Sequence, residues 1–553
     1  MTDAVEKQNT IQVEQRGDED QNARQQAALT EAGAGGKLDV VNEQMAIEAT
    51  LNEHNLTMWQ ALVKYRKACL WSMLVSLSII MRAYDIEITG NFFALPAFAE
   101  HLGEYVPGHG YQVPTQWQVA MSVGPIVGQV IGAWAAAIPM DRIGRKRTLA
   151  IYLLLTTALV FMQVFAPNRE VLTASMYLAG VIWGGYHVIA PTYASEVLPL
   201  RLRGIFTGFV MLCYVMGALI QTGVTRGFVH WTSVWAYKIP YAIQWVWPVF
   251  ILSLLYWAPE SPWWLIRQNR LDEAKAALDR LSNRTSRQNN YNVLAMMVKT
   301  DIYERELEVG VTYRDCFKGP NLRRLEISSV LFVIQNFSGN AAAFAVYLFE
   351  QVGLSSEDAF DMGIGLNAVG FVGTCLSVLV MSYLGRRRTW LYGLLYNIAC
   401  LWVVALLCFA KDYRTKTSYA WAQAAILVTM QFVYSMSVGP LAYIISSEIP
   451  STKLRAKTLS LTATFNGMTY LVITVAGPYL LNPGSANAGA KIDFLWGGLS
   501  IFSFIWSYFR LPETSNRTYE ELDTLFDRRV PAKEFKTYVI VPETEENETA
   551  QAN

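Results

Sequence analysis

Three ionisable residues, Arg82, Asp85 and Glu87, interrupt an apolar stretch early in the chain. Ionised side chains are costly in such surroundings, so where a sequence keeps them they mark ion or substrate pathways. Arg82 and Asp85 stand three apart on a shared helix face, a spacing that predicts a pair. A second set of charges comes in two copies. Gly-Arg-Lys-Arg at 144–147 returns as Gly-Arg-Arg-Arg at 385–388, a shift of 241. Ser-Glu-Val-Leu-Pro-Leu-Arg-Leu-Arg at 195–203 returns as Ser-Glu-Ile-Pro-Ser-Thr-Lys-Leu-Arg at 447–455, and Pro-Glu-Ser-Pro at 259–262 as Pro-Glu-Thr-Ser at 512–515, shifted by 252 and 253. The repeated acids are Glu196, Glu260, Glu448 and Glu513, and the bases are Arg142, Arg145, Arg203, Arg386, Arg387 and Arg455. At the helix ends of one membrane face, opposite charges can latch a bundle in one access state and release it in the other. Acting singly, the same charges would only fix topology and snorkel to the interface.

The elements that must position these groups are apolar helices. AVILMFWYC residues make up 52% of the chain and charged residues only 16%, against roughly 25% charged in soluble domains, which places most of the sequence in lipid. Twelve apolar stretches of spanning length lie between 68 and 511. With the internal repeat, they predict an all-α polytopic membrane protein of twelve transmembrane helices in two six-helix halves. The expected organisation is a disordered N-terminal tail at 1–66, halves at 67–258 and 327–511, a central loop with short helices at 259–326, and a C-terminal tail at 512–553. The tail at 1–66 has no apolar core of a cleaved signal, so the first membrane helix is expected to serve as the signal. In the central loop, Leu271, Leu278 and Leu281 share a stripe that predicts an amphipathic helix packed under the bundle.

Arg and Lys are unevenly shared between the two sides. The loops after the second, fourth, eighth and tenth stretches hold twelve of them and the opposite connections seven, which favours cytoplasmic motif loops, central loop and termini. Net charge is zero, so there is no basic footprint for nucleic acid. The six cysteines have no paired or metal-like spacing and read as core residues. No nucleophile, metal or phosphate-cradling motif stands at a membrane face, which argues against an enzyme and against any cofactor.

Asp-Arg-Ile-Gly-Arg-Lys-Arg (141–147), Pro-Thr-Tyr-Ala-Ser-Glu (191–196), Pro-Glu-Ser-Pro-Trp-Trp-Leu (259–265), Gln335 with Ser338-Gly339-Asn340, Gly439-Pro440 and Pro-Glu-Thr-Ser-Asn-Arg-Thr-Tyr-Glu-Glu-Leu-Asp (512–523) resemble the sugar porter family of the major facilitator superfamily. The stretch 438–455 is similar to the fungal maltose and α-glucoside permeases. The resemblance covers about 60–535 and implies a plasma-membrane carrier that takes up an α-glucoside, maltose-like or other oligosaccharide by alternating access. In proton-driven members an Asp at the place of Asp85 is the coupling carboxylate, and protons would then be a second partner. A carboxylate permanently neutralised by Arg82 is the other reading of the same pair. The chain departs from its proton-coupled relatives at three ionisable positions: Arg82 stands where they carry a Glu, Gln129 where they carry a second Glu, and Thr462–Thr464 where they carry an Arg. Facilitated transport and a non-transporting sugar sensor therefore stay open. So does a non-sugar or glycosylated metabolite, because Met211 and Ala218 replace the family's Asn and Gln and make the fifth span less polar.

A hydroxyl-rich ligand needs amides that donate and accept, and flat apolar faces for its rings. Gln335, Asn336 and Asn340 in the seventh span meet the first need, with Tyr443 in the tenth and Asn466 in the eleventh as further candidates. Gln335 and Asn340 are five apart and need not share a face. His187 in the fourth span reads either as a packing residue or as a proton relay.

Overall fold

The computed structural model describes residues 57–538 apart from 107–109, 284–289, 309–311, 340–344, 352–353, 411–416, 482–490, 516 and 518. In chain order the spans are span 1 Arg66–Phe92, span 2 Thr115–Ile143, span 3 Arg145–Val164, span 4 Arg169–Val197, span 5 Leu200–Arg226, and span 6, made of Trp235–Ile243 and Val246–Leu255. The second half follows as span 7, made of Gly319–Gly339 and Ala345–Gln351, span 8 Ser356–Leu384, span 9 Arg386–Leu407, span 10, made of Thr417–Met436 and Val438–Glu448, span 11 Arg455–Leu481 and span 12 Ile492–Arg510. Among the described residues, ten helices are long and apolar enough to cross a membrane. Spans 4 and 7 complete the twelve. Their hydropathy is diluted by what they carry: Gly184, Gly185, Tyr186 and His187 in span 4, and Arg323, Arg324, Glu326 and Gln335 in span 7.

Glycines set how closely spans 2 and 4 approach. A Cβ on Gly132 would lie 1.8 Å from the Val181 carbonyl oxygen, and one on Gly184 2.2 Å from that of Gln129. Only a missing side chain lets two backbones meet at that separation, so the N-terminal half is locked around this contact.

The structure adds order where the sequence predicted none. Helix Met58–Lys64, started by a Thr57–Gln60 capping box, falls within the stretch 1–66 expected to be a disordered tail. It is tied down by Asn283, whose backbone N–H donates to the Lys64 carbonyl at 3.2 Å. At the other end, helix Tyr519–Asp527 buries Leu522, Leu525 and Phe526, and Val530 and Phe535 follow them into the same core. Residues 1–56 and 539–553 of the two expected tails lie outside the described residues. Span 1 stops at Phe92, and Pro96 starts a new helix, Pro96–Leu102. A two-stranded ribbon follows, Glu104–Val106 paired antiparallel with Gly110–Gln112, a β element that the all-α expectation lacked.

Leu278 and Leu281, with Ala274 and Ala277, are the buried face of helix Leu271–Leu281. Ala274, Ala277 and Leu278 form a separate core beneath the bundle with Trp264, Leu265, Leu294 and Val298, while Leu281 joins the core of the first half.

The larger cores show how the halves meet. One unites Tyr84, Ile88 and Phe92 of the first half with Ala345–Phe349, Phe360 and Leu427 of the second. It lies at the end away from the repeated motifs, here called the opposite face. At the motif face each half has its own core, one built around Tyr152, Trp183, Tyr186 and Tyr193, the other around Trp390, Leu441, Ile445 and Phe526. The halves therefore share a core at the opposite face and keep separate cores at the motif face.

Candidate functional site

At the motif face the repeated charges assemble into two related hubs, each inside its own half. Gly144 and Gly385 adopt φ of +95° and +82°, a left-handed turn that suits glycine and aims the next residues' N–H groups at an acid. In the first hub, Glu260 Oε1 accepts from the backbone N–H of Arg145 at 2.9 Å, Lys146 at 3.1 Å and Ser261 at 3.0 Å. Arg145 Nη2 donates to Glu196 at 2.8 Å, and its Nη1 donates to the Met140 carbonyl at 3.0 Å. In the second, Glu513 accepts from the backbone N–H of Arg386 at 2.9 Å and Arg387 at 3.2 Å. Arg386 Nη2 meets Glu448 at 3.2 Å, and Thr514 donates to the same carboxylate at 2.6 Å. Burial holds the Glu260 carboxyl above its ordinary value, against the backbone donors of Ser261, Lys146 and Arg145, which pull it down.

Of the predicted gate residues, Glu196, Glu260, Glu448, Glu513, Arg145, Arg386 and Arg387 take part in these hubs. Arg142 is exposed at the end of span 2. Arg203 lies on span 5 and Arg455 begins span 11, while Glu196 pairs with Arg145 and, at 4.0 Å, with Arg267, and Glu448 pairs with Arg386. A bridge between the halves at this face is made instead by helix Asn290–Glu308, which touches the turn Thr452–Leu454.

Deeper in the bundle, Arg82 and Asp85 do not pair. Three residues advance about 300° around a helix, so their side chains diverge by about 60°, and each follows a different neighbour. Asp85, 3% exposed, accepts from Gln244 Nε2 at 2.9 Å, with Gln163 and Trp183 beside it. Gln244 sits in the joint between the two helices of span 6, where a helix break frees its side chain to reach across the half. Arg82, 5% exposed, lies over the Tyr214 ring of span 5 at 5.5 Å from its centre and within electrostatic range of Tyr443 in span 10, Tyr470 in span 11 and His187 in span 4. Asp85 thus belongs to the interior of the first half, while Arg82 stands where the two halves face each other. Glu87, half-buried, is near Tyr214 and Tyr470 as well.

The second half supplies the amides. Span 10 breaks at Ser437, and Pro440 in the first turn of Val438–Glu448 donates no hydrogen bond. Gln335 Nε2 donates to the Gly439 carbonyl at this break, at 2.8 Å, and Tyr434 donates to the Gln335 carbonyl at 3.4 Å. Asn336 Nδ2 donates to Asn466 Oδ1 at 2.9 Å, joining spans 7 and 11. Tyr443 packs edge-on against Phe332, with ring centres 4.9 Å apart. Asn340 lies outside the described residues. The structure therefore brings four of the five predicted binding residues into one neighbourhood and adds Tyr214, Tyr434 and Tyr470. The signal for these three was a tyrosine recurring in spans 5, 10 and 11, which a search for charges passes over.

The opposite face carries a polar joint that the sequence reading missed. Arg226, ending span 5, donates through Nε to Asp361 Oδ1 at 2.6 Å and through Nη2 to Asp361 Oδ2 at 3.1 Å, and also pairs with Glu357. His230 Nε2 lies 3.3 Å from Glu357. Nearby, Thr222 Oγ1 accepts from Asn91 of span 1 and Asn367 of span 8, both at 3.1 Å. The Asn91 contact lies within the first half, while those of Arg226, His230 and Asn367 cross from one half to the other.

A twelve-helix bundle with doubled charge hubs and a cluster of polar side chains where its halves face each other matches a known family, the one described as Sugar (and other) transporter, over residues 71–526. The chain belongs to that family. It is 31% identical over 515 residues to the general alpha-glucoside permease of Saccharomyces cerevisiae, covering 91% of this chain and 83% of the relative. It is also 31% identical over 514 residues to the maltose permease MAL31 of the same organism, with the same coverage. Among solved structures, the inward open xylose transporter XylE from E. coli aligns with a TM-score of 0.64 at 17% identity, over 82% of this chain and 98% of that one. The proton:xylose symporter XylE bound to 6-bromo-6-deoxy-D-glucose aligns at 0.62 and 17%, over 84% and 100%. As a family member the chain is a multi-pass membrane transporter of the major facilitator fold.

Proposed function

We propose that this transporter takes up a sugar, an α-glucoside, maltose-like or other short oligosaccharide, across the plasma membrane, with the motif face and both termini cytoplasmic. The observation that carries the alternating-access reading is the unequal packing of the halves: one shared core at the opposite face and separate cores at the motif face. A carrier caught with its chamber open on one side has this form. The excess of Arg and Lys in the motif loops supports the orientation. The similarity to α-glucoside and maltose permeases along nine-tenths of the chain supports the substrate class.

In this reading Gln335, Asn336, Asn340, Tyr443 and Asn466 hold sugar hydroxyls, exchanging the hydrogen bonds they now make with each other for bonds to substrate. The duplicated hubs keep each half rigid while the halves rock. Asp85 is the titrating carboxylate of a proton symport, and Arg82, next to it in sequence but turned to the chamber, biases the access states through its charge.

Net uptake of radiolabelled maltose and other glucosides into cells lacking their own carriers tests this directly. Saturable uptake is expected, with external alkalinisation when sugar is added. Asp85→Asn should abolish accumulation against a gradient and spare exchange of labelled for unlabelled sugar, because exchange moves no net proton. Binding without uptake would assign the chain to sensing. Uptake with no pH change in either parent or variant would exclude symport.

A further inference from the structure

Among the described residues, the charge of Arg82 has no paired counter-ion. Its side chain is 5% exposed, and among the described residues it makes no ion pair and no hydrogen bond. Its Nε is buried without a partner. Buried charges are ordinarily matched, because an unmatched one forfeits its hydration with nothing in return. The carboxylates nearest in sequence do not serve. Asp85 is turned into the first half, onto Gln244. Glu87 is five residues on, about 7.5 Å further along the axis and about 140° around it.

The surroundings suit a ligand rather than a missing protein partner. The guanidinium faces Tyr214 from its own half and lies within electrostatic range of Tyr443 and Tyr470 from the other, so it borders the chamber where the halves separate. Tyr443 and Asn466 carry donors to the same chamber, and Gln335 and Asn336 extend the polar wall. A planar guanidinium presents paired N–H groups whose spacing matches the two oxygens of a carboxylate.

Resting on the reading of the chain as a sugar carrier, we infer that Arg82 binds an anionic group of the substrate, so that the preferred substrate class is a sugar acid, a glycoside bearing one carboxylate. A single guanidinium balances a single negative charge. A phosphate, with close to two charges at neutral pH, would leave one unmatched. The substrate carboxylate would also cancel the charge that opposes closing the chamber around it, so an acid would promote the transition between access states as well as binding.

The test uses the purified full-length protein in detergent and measures ligand-induced thermal stabilisation with three probes: maltose, its aldonic acid maltobionate, and a phosphorylated disaccharide, trehalose 6-phosphate. Maltobionate is expected to bind about tenfold or more tighter than maltose. Arg82→Gln should remove that preference, bringing the ratio of maltobionate to maltose affinity near one, and Arg82→Lys should restore part of it. The melting temperature of each variant without ligand checks that it folds. Maltose binding equal to or tighter than maltobionate overturns this inference and leaves the sugar-carrier reading standing. So does a preference unchanged in Arg82→Gln. Tighter binding of the phosphorylated sugar overturns the assignment to a carboxylate. Binding of none of the three overturns both readings.

Discussion

The two ends of the bundle use charge in opposite ways. At the opposite face Arg226 reaches from span 5 to Asp361 and Glu357 of span 8, so its ion pairs run between the halves, over a shared aromatic and aliphatic core. At the motif face, Arg145 with Glu196 and Arg386 with Glu448 run within a half. Pairs inside a half survive any relative motion of the halves and stiffen the moving bodies. Pairs between the halves must break when the far side opens, and their energy enters the balance between access states directly. The half-exposed setting of the joint at the opposite face keeps that energy small, so that the balance remains reversible.

The largest effect should come from the most buried hub. Arg145 is 3% exposed and its partner Glu196 10%. Arg145→Ala should therefore cost roughly 3 to 5 kcal/mol by leaving that carboxylate with only the more distant Arg267, 4.0 Å away, read as loss of folded protein in a detergent thermal melt. The equivalent residue Arg386 is 27% exposed, and Arg386→Ala should cost less, about 1 to 2 kcal/mol. Equal losses would show that the two halves are not distinguished by burial.

Gln335→Ala removes both a candidate sugar contact and the bond to the Gly439 carbonyl. Weakening of sugar binding by roughly 1 to 3 kcal/mol is expected, measured by ligand-induced stabilisation. Unchanged binding would move the site away from span 7.

Arg226→Ala should shift the access equilibrium by about 1 kcal/mol toward the state open at the opposite face, read as faster labelling of cysteines introduced into the chamber from that side. Charge reversal at Arg226 together with Asp361→Arg should restore the parental rate. If single and double variants label alike, the pair is not a gate.

The smallest effect concerns pH. Glu260 has a folded pKa raised by burial, so the folded state binds more protons than the unfolded state in the interval just above the ordinary carboxylate value. Stability contributed by this group therefore falls as pH rises through that interval. Glu260→Gln should flatten the slope of melting temperature against pH there. An unaltered slope would assign the pH dependence to other carboxylates.

How much was legible in advance differs between these regions. The charged motifs of the hubs were readable because a glycine turn, an arginine and an acid recur at fixed offsets, although the partners they join lie far apart, Arg145 and Glu260 by 115 residues. The separate environments of Arg82 and Asp85, which the spacing had predicted to pair, were not, because helical spacing says which residues share a face but not which neighbouring helix each side chain meets. Gln244 lies 159 residues from Asp85, and no periodicity connects them. The joint at the opposite face was missed for the same reason, since Arg226 and Asp361 look like ordinary loop-end charges until spans 5 and 8 are packed together.

By itself, the sequence determined the membrane class, the duplicated six-helix plan and the charged motifs, because hydropathy over a span's length and repeats at constant offset need no knowledge of neighbours. Only the tertiary structure decided at which face the halves share a core, that the hubs lie within the halves, and that Arg82 turns from Asp85 toward the tyrosines. Those outcomes depend on competition among residues far apart in the chain, settled by packing and by the cost of leaving a buried charge or polar group without a partner.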